Sequence, residues 1–323
     1  MRRRSSPLLP LSLSLLGVGV FLLVLAPMLT WYVEPRAKRT PVDVDVTSIF
    51  TGTGAYFDQE ALKTRKGKQL TVNRHVLGNV AASEKSGRAV WDVSQTIDNP
   101  ETLKLNDPRR AFQWKVERWV TDRETNLPVQ CCRLRPADTS GEAYLKFPFD
   151  VEQRTYRWWD SSLGKTVPVR YTGRETVKGR EGLRFTATVA PVRMGSRQVP
   201  GRLVDRPRSS QVFAEEWYSN SGLDLVVDQR TGRILYAATG PKVTLRAPGG
   251  KADKVTLLQS DKLAFDDATQ REAAELADED NKKLELVGTK APFGALLAGG
   301  LLTLTGAGLL LRGVRNVRQP REM

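Results

Sequence analysis

Two stretches without a charged side chain lie near opposite ends of this chain: Ser5–Val33, 29 residues, and Ala291–Leu311, 21 residues. A helix of about 20 predominantly apolar residues, rising about 1.5 Å per residue, crosses a bilayer's hydrocarbon core. Both stretches reach that length. The sequence therefore predicts a two-pass cell-membrane protein with one large polar segment on a single face. The expected division is a cytoplasmic basic tail over 1–10, a transmembrane helix over 11–33, an extracytoplasmic domain over 34–290, a second transmembrane helix over 291–311 and a cytoplasmic basic tail over 312–323. Orientation follows from the flanks. Arg2, Arg3 and Arg4 precede the first span, Arg312, Arg315, Arg318 and Arg321 follow the second, and short basic tails stay cytoplasmic. Arg36, Lys38 and Arg39 oppose that bias, but long segments translocate largely regardless of charge. The first apolar run exceeds the roughly 7–15 residues of a signal-peptide core, and Ala26-Pro27-Met28-Leu29 is a poor cleavage site, so the run reads as an uncleaved anchor. Trp31 and Tyr32 would sit at headgroup level.

The segment Glu34–Lys290 is long enough for one large domain or two small ones. It holds 43 Lys+Arg against 35 Asp+Glu. That excess suits anionic lipid headgroups or acidic glycopolymers, and equally an ordinary solubilising surface. Nucleic acid is not an expected partner, because the basic residues are dispersed and the segment is extracytoplasmic. Hydrophobicity follows period two: Val42, Val44 and Val46 alternate with Asp43 and Asp45. Thr166–Tyr171 and Leu183–Val189 read as strands, with a further short strand and its turns expected in Thr172–Gly182. Gly249-Gly250 separates two more strand-like runs, Val243–Leu245 and Val255–Leu258. One helix is expected late, capped by Asp267 with Gln270 reaching back, and leading into the second span. The fold class is mainly β: a large antiparallel β-rich domain between N- and C-terminal transmembrane helices. Val120–Leu127 echoes Val226–Arg233, each with a strand, an Asp and a residue suited to positive φ; the echo reads as shared turn chemistry and not as a duplicated domain.

The two cysteines, Cys131 and Cys132, are adjacent. They read as a vicinal disulfide, as an intermolecular bridge, or as two thiols on opposite faces of a strand. No zinc-type spacing accompanies them, and neither a metal nor a cofactor is expected. Aromatic residues concentrate at Phe147-Pro148-Phe149 and Tyr156–Trp159. Tyr156, Trp158 and Trp159 are candidates for lining a ligand groove, with Arg154 and Arg157 offering planar forks to phosphate or sulfate. The competing reading makes those rings core, with Trp158 and Trp159 on opposite faces of one strand. No catalytic residue stands out. His75 is the only histidine, no Gly-x-Ser-x-Gly elbow exists, and Glu215-Glu216 and Asp266-Asp267 are adjacent carboxylates of no diagnostic spacing. Thr51-Gly52-Thr53-Gly54 lacks the rest of a phosphate loop.

Phe147–Glu152, Tyr156–Asp160, Tyr171–Gly179 and Thr51–Gly54 together resemble an actinobacterial family of two-pass proteins of unknown function, catalogued as PorA-type porins. The resemblance covers nearly the whole chain, both spans included. It implies a role in building the cell envelope, with glycolipid or lipoglycan handling suggested for relatives, and it transfers no catalytic residue. A looser similarity, in architecture and in the Phe-Pro…Gly-Arg-Glu-Thr-Val-Lys-Gly pattern, is to class B scavenger receptors, which are lipid-binding two-pass proteins. A membrane barrel needs strands with a lipid-facing apolar band, whereas strands here carry charge throughout, as in Lys165–Arg184. The expected function is non-enzymatic: a membrane-anchored domain that binds or hands on an envelope lipid or glycolipid. The alternative is a scaffold for other envelope membrane proteins; pore formation and polysaccharide remodelling rank below both.

Overall fold

The computed structural model describes residues 8–99 and 111–318. Arg2, Arg3, Arg4 and Arg321, which carry much of the expected orientation, lie outside the described residues. Two compact units emerge. One ends at Arg39 and resumes at Glu279; the other is Thr40–Asp278.

The helical unit opens with α1 (Leu8–Met28), a wide π turn (Leu29–Val33) and α2 (Glu34–Ala37). The β unit follows with β1 (Asp45–Asp58), β2 (Lys63–Gly78), α3 (Val80–Ser86), β3 (Ala89–Asp98), β4 (Ala111–Thr121), β5 (Tyr156–Asp160), β6 (Lys165–Val177), β7 (Arg180–Pro200), β8 (Gln211–Val227), β9 (Ile234–Thr239), β10 (Pro241–Arg246), β11 (Asp253–Ser260) and β12 (Leu263–Phe265). Next come α4 (Asp267–Glu285), a second π turn (Leu286–Lys290) and α5 (Ala291–Arg318).

Two helical stretches, Pro10–Ala37 and Asp267–Arg312, are long and apolar enough to cross a membrane. α1 and α5 meet along small residues. Ser12, Gly19 and Ala26 are spaced at sevens along α1, and Ser12 and Ala26 are buried. A Cβ on Gly19 would fall 2.6 Å from the Thr303 backbone nitrogen and 2.9 Å from the Gly299 carbonyl oxygen. Each π turn is centred four residues before a proline, Pro35 in one helix and Pro292 in the other. A helical proline offers no N–H and its ring crowds the carbonyl four residues back. A widened turn relieves that contact in both places.

The β unit is one antiparallel meander with strand order β4-β3-β2-β1-β11-β10-β8-β7-β6-β5. β9 continues into β10 across Gly240, and β12 continues β11, so each pair acts as one long bent strand. The last strands return to pair with the first: Phe50 stands opposite Phe265 and Gly54 opposite Ser260. The two edges, β4 and β5, are tied by the irregular segment between them, through bridges Arg118–Arg135 and Ala143–Trp158. Trp119 from one edge and Trp158 from the other pack on the same ring, Tyr144, at 5.1 and 6.0 Å between centroids. The sheet therefore curls around a plug supplied by Ala143, Tyr144, Phe147 and Val151. Phe147 is central to it, with ring centroids of Tyr156 and Phe185 at 5.2 and 5.1 Å.

Local chemistry explains the turns. Asp58, Asp122 and Asp160 each accept the N–H groups two and three residues on, and Asp228 accepts that of Thr231. The fourth residue after each aspartate (Leu62, Asn126, Gly164, Gly232) has positive φ. The echo between Val120–Leu127 and Val226–Arg233 is this turn, used four times. Two sequence expectations are corrected. Thr172–Gly182 holds no separate short strand, because β6 and β7 run on to a tight turn at Lys178-Gly179, both at positive φ. The cap of α4 is Asp266 and not Asp267: its Oδ1 accepts the Thr269 N–H at 2.8 Å, while Gln270 bonds the Phe265 carbonyl.

Candidate functional site

The aromatic groove expected at Tyr156, Trp158 and Trp159 is core. These side chains are 2 %, 6 % and 1 % exposed, because they pack into one cluster with the plug residues Ala143, Tyr144, Phe147 and Val151. Arg154 and Arg157 are both on the surface, and of the two Arg154 has its fork hydrogen-bonded to carboxylates. Arg154 bonds Glu142 at 3.0 Å and Glu152 at 2.9 Å and lies 3.8 Å over the Tyr156 ring. Arg157 lies 3.6 Å from Glu142. Burial opposes ionisation of Glu142, but the Arg157 backbone N–H and the two guanidinium groups hold its pKa below the ordinary value. Cys131 and Cys132 are joined as a vicinal disulfide. It closes a turn in which Cys132 and Arg133 have positive φ and Leu134 N–H bonds the Cys131 carbonyl. The turn packs on Val90 and Val120.

An open site lies elsewhere, where the sheet bends. β7 loses register between Ala187 and Val192, β8 between Asn220 and Leu223, and β9 gives way to β10 at Gly240. On β1 the crease passes Gly52, where a Cβ would sit 2.1 Å from the Lys262 carbonyl oxygen, so only glycine permits that approach. Asn220 pins the bend. Its amide donates to Thr239 Oγ1 at 2.8 Å and to Tyr218 Oη at 3.4 Å, and its carbonyl accepts the N–H of Gly222 at 3.1 Å and of Gly240 at 3.0 Å. Tyr218 in turn donates to Asp160 at 2.8 Å. Burial, reinforced by the Asp160 charge, pushes the Tyr218 phenol well above its ordinary pKa. It stays a donor at any physiological pH.

Along this crease runs a cleft of about 370 Å³, walled by 188–191 of β7, 219–221 of β8, Gly240, Lys242 and 259–261. Some of its groups are committed: Lys242 to Asp253 at 2.8 Å and Ser260 to the Thr53 carbonyl at 2.8 Å. Among the described residues the Thr188 and Ser219 hydroxyls, the Gln259 amide and the Asp261 carboxylate carry no hydrogen bond. Such a mixed set of donors and acceptors suits a hydroxylated ligand. The sequence signal is Ser219-Asn220-Ser221-Gly222, a small polar run in the middle of a strand, where ladder continuity disfavours it.

The remaining candidates fall apart from one another. His75 is on the outer sheet face, 2.8 Å from Asp45, and Ser94 stands opposite it on β3 without a hydrogen bond to the ring. Glu215 is held ionised by the Gly249 backbone N–H, then by the Trp217 indole, while Glu216 pairs with Arg197. Among the described residues no group of three or more His, Cys, Asp or Glu side chains is placed to hold a metal ion.

Comparison with known proteins places the chain. Over 222 residues it is 27% identical to a protein named Porin PorA from Corynebacterium resistens, covering 56% of this chain and 52% of that relative's length. The chain thus spans about half of the curated relative it matches. A family model described as Porin PorA matches residues 11–308. The chain belongs to the porin PorA family.

Proposed function

We propose that this protein is a two-pass membrane module of the cell envelope. Both termini are cytoplasmic, and the extracytoplasmic β domain binds the hydroxylated head of an envelope glycolipid or lipoglycan and hands it on without covalent chemistry. The observation that carries this reading is the crease cleft, whose uncommitted hydroxyl, amide and carboxylate groups suit a polyol and whose size excludes long acyl chains. The filled interior of the sheet agrees with recognition of a head and not a tail. Native mass spectrometry of the full-length protein, extracted gently from its own membrane, tests the idea. A bound glycolipid that survives washing and is lost in Gln259→Ala or Ser219→Ala supports it. A lipid-free spectrum, or a lipid retained equally by both variants, overturns it.

A second reading, a scaffold for envelope proteins, is favoured by one feature. Trp114 and Val116 on the edge strand β4 are 72 % and 61 % exposed, and an unprotected apolar edge invites strand addition by a partner. In-cell crosslinking from position 114 that captures no protein would end that reading.

A further inference from the structure

The inner faces of β2 and β3 carry apolar side chains at Val72, Val76, Trp91, Val93 and Ile97. One row interrupts them. Arg74 stands opposite Gln95, and Gln95 opposite Lys115 on β4. Arg74 Nε donates to Gln95 Oε1 at 3.0 Å. Its guanidinium lies over two rings, 5.1 Å from the Phe50 centroid and 5.8 Å from that of Tyr144.

Charge in this row does not cancel. Glu117, 6 % exposed, accepts the Tyr144 hydroxyl at 2.6 Å and lies 2.8 Å from Lys115 Nζ. Lys115 also donates to the Ser161 hydroxyl at 2.8 Å and to the Ser161 carbonyl. Glu117 is thus claimed by Lys115 and Tyr144, and among the described residues Arg74 has no carboxylate partner. Neither of its terminal nitrogens has an acceptor among the described residues. Two other sheet arginines show the contrast: Arg118 is clamped by both oxygens of Asp92, and Arg184 by both of Asp224. An arginine fork left open and backed by aromatic faces fits two oxygens of a tetrahedral oxyanion. The rings exclude water from one side, which strengthens the attraction.

We propose that the open fork of Arg74 forms a binding site for a phosphate-type monoanion. The single excess positive charge matches a phosphodiester or dihydrogen phosphate. The same chemistry comes from a phospholipid headgroup or from free phosphate, and the site does not depend on the crease cleft.

The test uses the full chain in an uncharged maltoside detergent, with tryptophan fluorescence and the thermal midpoint followed at constant ionic strength. The probes are inorganic phosphate and dihexanoyl phosphatidylglycerol below its micellar concentration. Saturable binding that raises the midpoint is expected for at least one probe. Arg74→Gln is expected to weaken it roughly tenfold or more, and Arg74→Lys to weaken it by less, because it keeps the charge and loses the fork. Tighter binding of the lipid assigns a headgroup; equal or tighter binding of phosphate assigns the free ion. No binding of either probe at millimolar concentration overturns the proposal, as does unchanged affinity in folded Arg74→Gln. Should Arg74→Gln fail to fold, unchanged affinity in Arg74→Lys overturns it.

Discussion

Asn220 does the most structural work for its size. It holds two backbone N–H groups and two side-chain hydroxyls across a bend where strand-to-strand bonding lapses. Asn220→Ala strands buried donors, and the expected loss is about 2–4 kcal/mol, read from urea unfolding of the full chain in detergent. The turn aspartates work differently. The Asp122 carboxylate has a lowered pKa, chiefly because it accepts the Thr125 N–H; burial opposes this, and the Glu124 N–H and Arg88 add to it. A depressed folded pKa contributes stability at pH values above the ordinary unfolded one, about 3.9, and that stability fades as pH falls through the folded pKa. Wild type is therefore expected to lose stability more steeply than Asp122→Asn as pH falls below about 4. Equal slopes in acid titrations of the two would remove this residue from the acid response.

At the level of elements, the helix pair depends on small residues. Gly19 brings α1 within backbone contact of α5, and membrane helices associate largely through such packing. Gly19→Leu is expected to separate α1 from α5, lowering the thermal midpoint and abolishing a disulfide engineered between positions 23 and 299; a retained crosslink would refute it. The prolines make a second claim on the same helices. If Pro35 and Pro292 cause the π turns, Pro292→Ala should restore regular α-helix over Leu286–Lys290 and shift the register of α5 by one residue, visible in an experimental structure of the variant. Much of this level was legible. The two long apolar helices and the shared turn chemistry follow directly from spacing, whereas the strand expected over 42–46 begins only at Asp45, with Val42 to Val44 in the bent segment before β1. The joining of Thr172–Gly182 into long strands was not, because Lys178-Gly179 shows its turn type only once both residues are at positive φ.

For the whole molecule, the family name raises the question of a pore. The small-residue seam of α1 and α5 leaves no lumen between them, and the concave face of the sheet is filled by Phe147, Trp158 and Phe185. Purified full-length protein in a planar bilayer is expected to give no stepwise conductance. Reproducible channels at nanomolar protein would reverse that view and point to an oligomer. The functional site was less legible than the architecture for a physical reason. Aromatic residues clustered in sequence are equally suited to a groove or to a core, and burial alone separates the two. The crease and the open Arg74 fork arise from register between strands far apart in the chain, which no local pattern displays.

The return of the last strands to β1 sets an order of assembly. Ile49 bonds Thr269 across 220 residues of sequence, so one side of β1 has no neighbour until nearly the whole β unit has been made. During that interval β1 is a growing chain's open edge, and long-range closure of this kind is slow and exposed to wrong pairing. The protein is born vulnerable: a chain stopped before β11 leaves β1 bare on one side, and a nascent copy emerging beside another can lend it the missing strand.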